Sequence, residues 1–485
     1  MSHPIRDSTM EGNEKPTPAQ CSSAPSGAVN SNTAASNDYA SQWRPLVVLL
    51  LVACFAVRLI AAVWVDRHVQ TQGRRFLIEG DANGYWELAE KLAHNQEYAI
   101  HSPPRRVLRM PGFPFVLSLS IRLFGDRILP ARILLALIGT GCCWLTYELA
   151  RRMHMRRTGF WAAVYVGFHP LHVGNSVLIL SETLFAFVML AGLLFLLRLL
   201  DEPSTTISEH SCRADSKSSC GTVGGQRCRY RLMRDGFVVG CLTAVAVLVR
   251  PGFLPWLLVA MTAVWLLLNR SRALRMGICV LMATGCLLTL LPWAARNATV
   301  TGHWVFTSLW SGPSLYDSLN PSATGASNMA FFDDDNVMSR MSEFEMNEYY
   351  KRKAFDFVRQ QPLRAAELAV IKSGRFLSPV PNEASLSNQV ISTACAVSWV
   401  VLFGCAGFGA FFLRREAGLS TSSGRAWFWS AMVVTVGPLL LFLLVHMVFI
   451  GSVRYRLPAE FPLAALAAAG WRGILNHWSR TDATT

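Results

Sequence analysis

Charge is scarce in this chain. Asp, Glu, Lys and Arg make up 16% of its 485 residues, against about 25% in ordinary soluble proteins. Familiar catalytic signatures are missing as well. There is no phosphate-cradling G-x-x-x-x-G-K-[ST] loop, no G-x-G-x-x-G after a strand, no H-E-x-x-H and no G-x-S-x-G. Nucleotide-driven and familiar soluble-hydrolase chemistries lose their support with them. None of the 12 cysteines lies in 66–129 or 294–390, so structural disulfides are not expected there. Cys212, Cys220 and Cys228 are separated by seven residues, which is not a zinc spacing. No metal and no other cofactor is expected.

What the chain has is apolar length. It is 52% hydrophobic, with a mean hydropathy of +0.31. Ten segments near 46–65, 130–150, 158–176, 178–200, 236–250, 252–269, 275–293, 391–413, 427–449 and 457–475 approach the ~20 residues that cross a bilayer as a helix. The expected fold class is an all-α polytopic membrane protein. Residues 1–42, rich in Ser, Asn, Ala, Thr and Pro, read as a disordered tail. The first apolar run starts too late and is too long for a cleavable signal peptide.

Net charge is +14, but the basic residues cluster in short connections. Arg151, Arg152, Arg156 and Arg157 join spans two and three, and Arg270, Arg272 and Arg275 join six and seven. Arg414, Arg415 and Arg425 join eight and nine, and the loop 201–235 is strongly basic. This is the positive-inside pattern, not a nucleic-acid footprint. It sets both termini in the cytoplasm and two long loops outside, in a multi-pass plasma (inner) membrane protein. The organisation expected is a cytoplasmic tail, 1–42; a membrane catalytic module, 43–293, with the external loop 66–129; an extracytoplasmic loop, 294–390; the last three spans, 391–475; and a cytoplasmic tail, 476–485. Interfacial or amphipathic helices are predicted over Asp81–His94, Pro111–Phe124, Glu343–Arg359 and Leu363–Phe376. Asp333-Asp334-Asp335 reads as an acidic helix-capping turn, not a metal cluster.

On that topology an unusual set of charges gathers at the outer face. Asp81 reads either as a helix cap or as a general base at the interface. Glu182, set in apolar sequence, is a functional candidate by default, or a carboxylate favoured by the helix dipole. Arg250 and Arg296 end spans and could snorkel. Arg454-Tyr455-Arg456 offers forked donors suited to phosphate oxygens. Arg105, Arg106 and Arg109 add three more. Cations grouped outside oppose the usual bias and ask for an anionic, lipid-linked partner.

The order of short motifs resembles the C-type membrane glycosyltransferases, in the branch holding protein O-mannosyltransferases and lipid A aminoarabinose transferases. They run Gly80-Asp81-Ala82 with Tyr85, Arg109-Met110-Pro111-Gly112, His169-Pro170, Ser181-Glu182-Thr183, Arg250-Pro251, Pro292-Trp293 with Arg296, Gly312-Pro313-Ser314-Leu315-Tyr316 and Arg454-Tyr455-Arg456. The resemblance covers about 46–475. It implies a sugar donor on a polyprenyl phosphate, an extracytoplasmic active site, Asp81 as catalytic carboxylate with Glu182 as a second, and outer-face arginines on the lipid phosphate. Tyr85 and Tyr316 are assigned to the substrate pocket. The acceptor would be a lipid, a glycan or a protein. Ala82 stands where protein O-mannosyltransferases carry a second acidic residue, and 294–390 has no room for a β-trefoil insert; both argue against a protein acceptor. The other readings are a secondary transporter or flippase of an anionic lipid or lipid-linked sugar, and a polymerase or ligase of lipid-linked glycans.

Overall fold

The computed structural model describes residues 30–154, 156–201, 220–382 and 389–481. The expected tail 1–42 lies outside the described residues up to position 29, as do Cys212 of the basic loop and the last four residues. The chain divides into a short N-terminal unit, Met1–Val48, and a main unit, Leu49–Thr485. In the first, the described residues are helical from Asn30.

Among the described residues the chain is helix and connection, with no strand. In chain order the helices are α1 (Asn30–Thr71), α2 (Glu79–Ala93), α3 (Gly112–Phe124), α4 (Ile128–Met153), α5 (Arg156–Phe168), α6 (Pro170–Asn175), α7 (Glu182–Leu200), α8 (Cys220–Val249), α9 (Trp256–Leu267) and α10 (Arg272–Thr301). They continue as α11 (Ser311–Ser318), α12 (Ala330–Asp334), α13 (Val337–Arg340), α14 (Glu343–Gln360), α15 (Pro362–Leu377), α16 (Gln389–Glu416), α17 (Ser422–Thr435), α18 (Gly437–Val448) and α19 (Val453–Thr481). This is a polytopic, all-helical membrane protein. The predicted interfacial helices appear as α2, α3, α14 and α15, each within two residues of its expected bounds. Ser342 opens α14 with a capping box closed by Glu345, and Pro362 starts α15 where its missing N–H costs nothing.

Six described helices are long and apolar enough to cross a bilayer, seven if the pair α17–α18, bent by 47°, counts as one. The sequence pattern suggested ten, and proline explains much of the difference. The third apolar segment is cut at His169, which is extended (φ −62°, ψ 125°) before Pro170, because proline's ring disfavours a helical residue ahead of it. The sixth becomes a 3-10 turn, Pro251–Phe253, followed by the twelve-residue α9. The ninth bends at Val436, ahead of Pro438. α10 carries Pro292 inside it and runs to Thr301, so the long loop begins after Gly302 and not at 294.

A broken helix in a membrane exposes carbonyls that lipid cannot satisfy. Here buried arginines do so. Arg58 donates to the carbonyls of Gly167 (2.8 Å) and Val166 (3.2 Å), at the end of α5. Arg132 donates to Val177 (2.9 Å), in the irregular stretch after α6. That stretch leads into α7, which lies at the centre: 72% of its apolar window is buried, against 22% for the lipid-facing α16.

Two helix pairs approach through glycine, the small-residue packing membrane helices use when solvent provides no drive between them. A Cβ on Gly240 of α8 would sit 2.0 Å from the Met282 carbonyl oxygen of α10, and one on Gly285 would sit 2.6 Å from that of Phe237. Between α16 and α19, Gly409 and Gly470 would meet the carbonyls of Leu466 and Cys405 at 2.1 and 1.9 Å. Gly240→Val is expected to lower stability by about 1–3 kcal/mol through overpacking, seen as a lower melting temperature of the detergent-purified protein. Gly277→Val, which meets nothing within 4 Å, is the control; equal melting of the two variants would contradict this packing.

Candidate active site

Distant segments meet at one end of the bundle. α7 and α8 are antiparallel, so the start of α7 meets the residue after α8: Arg250 Nη2 donates to Glu182 Oε1 at 3.1 Å. Near the end of α7 Arg198 pairs with Asp235, midway along α8, at 3.1 Å, and Arg234 pairs with the same carboxylate at 2.7 Å. The start of α19 arrives beside Glu182. There Arg454 reaches two carboxylates at once, with Nε 2.7 Å from Glu182 Oε1 and Nη2 2.5 Å from Asp81 Oδ2. The second Asp81 oxygen, Oδ1, lies 3.0 Å from Arg109 Nη1. Asp81 is in the first turn of α2, yet that helix has no side-chain cap bond. The carboxylate is spent on arginines instead of amides.

Aromatic rings hold the cations in place, an attraction that strengthens when water is excluded. Tyr455 lies 5.1 Å from the Arg250 guanidinium and 5.2 Å from that of Arg454. Tyr85 lies 4.7 Å from that of Arg109 and is itself met edge-on by Phe113. Gly84 gives Arg109 room: a Cβ there would stand 3.2 Å from Arg109 Nε. Glu182 is 1% exposed, Arg454 14% and Asp81 32%, so the cluster is buried at Glu182 and opens at Asp81. Three arginines and two carboxylates leave a net charge of +1.

Seven of the expected site residues are thus brought together: Asp81, Tyr85, Arg109, Glu182, Arg250, Arg454 and Tyr455. Five are placed elsewhere, with their donors or rings engaged. Arg105 is buried and donates to the carbonyls of Met338 (2.6 Å) and Met341 (3.0 Å). Arg106 pairs with Glu97. Arg296 donates to the carbonyls of Arg106 (2.6 Å) and Tyr98 (3.0 Å). Arg456, one residue past Tyr455, points to the interior and pairs with Glu460 at 2.6 Å. Its Nη1 holds the carbonyls of Phe376 and Ser378, both at 2.8 Å. Tyr316 belongs to an aromatic group with Phe331, Tyr350 and Lys353.

Supporting residues also appear that the sequence did not single out. Both oxygens of Glu343 accept backbone N–H groups, of Arg106 and Val107, at 2.9 Å, which fixes the strap leading to Arg109. The Tyr98 hydroxyl donates to the carbonyls of Arg109 (3.3 Å) and Met110 (3.2 Å). His446, at the end of α18, stacks on Tyr455 with centroids 4.5 Å apart. The buried Lys372 amine donates to the Val448 carbonyl at 2.8 Å, and burial pushes its pKa down to about 8. Among the described residues no group of three or more His, Cys, Asp or Glu is placed to hold a metal.

Burial pushes the Asp81 carboxyl up, but the Arg109 and Arg454 guanidiniums outweigh it and hold it well below the usual carboxylate range. A depressed folded value means that pairing stabilises fully above the unfolded value of about 4 and is lost as pH falls through the folded one. The melting-temperature gap between wild type and Asp81→Asn is therefore expected to stay level above about pH 5 and to close only below about pH 4. A gap that changes near neutral pH would contradict the double pairing.

Residues 104–207 match the profile of the dolichyl-phosphate-mannose-protein mannosyltransferase family. No curated protein sequence matches the chain. Among solved structures, the apo oligosaccharyltransferase of Archaeoglobus fulgidus is similar with a TM-score of 0.53 and 14% identity, covering 91% of this chain and 52% of that one. The same organism's oligosaccharyltransferase AglB, in complex with an inhibitory peptide and a dolichol-phosphate, gives 0.50 and 12%, covering 90% and 51%. ArnT from Cupriavidus metallidurans, bound to undecaprenyl phosphate, gives 0.40 and 14%, covering 88% and 78%. The chain spans about half the length of the archaeal structures. At these identities the likeness is one of fold: the chain shares the helical membrane architecture of the archaeal oligosaccharyltransferase, and its residues 104–207 match the mannosyltransferase profile.

Proposed function

We propose that this chain transfers a sugar from a polyprenyl-phosphate donor to an acceptor hydroxyl, with inversion, on the extracytoplasmic face. The observation that carries the reading is the bridge in which Arg454 joins Asp81 to Glu182, flanked by Arg109 and Arg250. The acceptor hydroxyl attacks the anomeric carbon; its proton passes to Asp81, the half-open carboxylate. The bond from the anomeric carbon to the phosphate oxygen breaks, and the electron pair leaves with the polyprenyl phosphate. A phosphate monoester has a second pKa near 6, so it leaves without an acid; what it needs is charge stabilisation from fixed donors.

The net charge of the cluster suits that sequence. It is +1 beside a donor phosphodiester of charge −1. As Asp81 takes the proton the cluster becomes +2, while the leaving phosphate moves towards −2. Glu182 is buried, with one oxygen held by two arginines, which supports a positioning role over a catalytic one. The site draws Arg454 from the C-terminal spans, so the module 43–293 does not complete it alone. The basic connections at the other end of the α7–α8 pair support a cytoplasmic assignment for that end, with both termini on that side. Charges at helix ends, and not at mid-span, favour an enzyme over a transporter. A lipid, a glycan and a protein all remain acceptor classes on this reading, with the protein disfavoured by Ala82.

The test is transfer from a radiolabelled polyprenyl-phosphate hexose in purified membranes. Asp81→Asn is expected to reduce transfer by about 100- to 10,000-fold, the usual range for a general base. Arg106→Gln, whose side chain faces Glu97, is expected to keep transfer within about threefold, since an exposed pair contributes at most about 1 kcal/mol. Equal transfer by wild type and Asp81→Asn would remove Asp81 from the mechanism.

A further inference from the structure

Asp81 presents a contradiction as a base. Both of its oxygens are held by guanidiniums, at 3.0 Å from Arg109 and 2.5 Å from Arg454. A carboxylate in that setting binds a proton poorly, and general-base efficiency falls with basicity. The two arginines present the same difficulty from the other side. They are the cations a lipid phosphate would use, and their inward donors already have an anion. Each Asp81 oxygen takes one N–H group of a different arginine, and two phosphate oxygens accept charge-assisted hydrogen bonds from guanidinium N–H groups in the same way. One donor is unused: Arg109 Nε is buried and has no hydrogen-bond partner among the described residues. Glu182, by contrast, is enclosed and stays on Arg454 and Arg250 whatever happens at Asp81.

We infer that the Asp81 carboxylate occupies the place of the donor phosphate on Arg109 and Arg454, so that the donor must displace it, and that this displacement is what frees Asp81 to act as the base. The inference rests on the polyprenyl-phosphate reading and adds an order to it: donor first, acceptor second. Without the donor, Asp81 is pinned and an acceptor hydroxyl, or water, meets no competent base. Once the phosphate has taken the guanidiniums, including the spare Nε–H of Arg109, the carboxylate regains ordinary basicity. It is then left beside the anomeric carbon that the phosphate carries.

The consequence is a binding result opposite to that of a carboxylate that helps hold the donor. Undecaprenyl phosphate is titrated into full-length protein in neutral-lipid nanodiscs, for wild type, Asp81→Asn, Asp81→Ala and Arg109→Gln. Both Asp81 variants are expected to bind roughly tenfold tighter than wild type, because the phosphate no longer competes with a charge for the arginines. Arg109→Gln is expected to bind more weakly by a similar factor. Equal or weaker binding by both Asp81 variants, each still folded at the temperature of the titration, overturns the displacement and leaves the proposed transfer standing. Failure of the wild type to bind undecaprenyl phosphate overturns both. Tightening in Asp81→Ala but not in Asp81→Asn also counts against displacement by charge, since both variants remove the same charge.

Discussion

The arrangement at the Glu182 end of the bundle depends on one guanidinium serving two carboxylates that lie far apart in the chain. Arg454 meets Glu182, at the start of the most enclosed helix, and Asp81, on a helix outside the apolar segments. Neither contact forms unless α19 arrives at the head of α7, which requires the glycine-mediated approach of α16 and α19. The strap pinned by Glu343 and Tyr98 brings Arg109 to the other Asp81 oxygen. Buried ion pairs contribute little net stability, but losing one partner strands the other and costs about 3–5 kcal/mol. The cluster therefore acts as a check on assembly: the helices carrying Glu182 and Arg454 and the segments carrying Asp81 and Arg109 have to be in register for its charges to be compensated.

The same logic runs through the membrane interior. The breaks at His169–Pro170 and after Asn175 leave backbone groups that lipid would not satisfy. Arg58 and Arg132 answer them from neighbouring helices. Arg456 does the corresponding task for the end of α15 and is neutralised by Glu460. Arginine therefore has two uses in this chain. Where its donors meet carbonyls it repairs irregular backbone; where they meet carboxylates at the head of α7 it forms the charged cluster on which the proposed function rests.

That distinction is what the sequence did not disclose. Periodicity found α2, α3, α14 and α15 because each must show one apolar face, and that constraint is local. The gathering of Asp81, Arg109, Glu182, Arg250 and Arg454 was legible because span counting puts them all on one side of the membrane. Arg105, Arg296 and Arg456 passed the same filter, yet they hold backbone carbonyls, and Arg456 pairs with Glu460, away from the cluster. Adjacent arginines such as Arg454 and Arg456 look alike as letters; on a helix two residues turn by about 200°, and they face opposite environments. The count of ten spans is not confirmed, for a related reason. Hydropathy registers apolar composition, whereas Pro170, Pro251 and Pro438 decide whether that composition can be one straight helix.

Glu182 carries a last consequence. Enclosed and shared by two guanidiniums, it acts, on the proposed transfer, as a counter-ion that stays in place. It caps the positive charge that the site can present at +2, reached only when Asp81 is neutralised by its proton. A monophosphate link, which ends the reaction near −2, is matched by that ceiling. A pyrophosphate link would leave as a more highly charged group, and one negative charge would have no partner. On the proposed transfer, a single buried glutamate matches the charge of the site to a carrier with one phosphate, without touching the carrier at all.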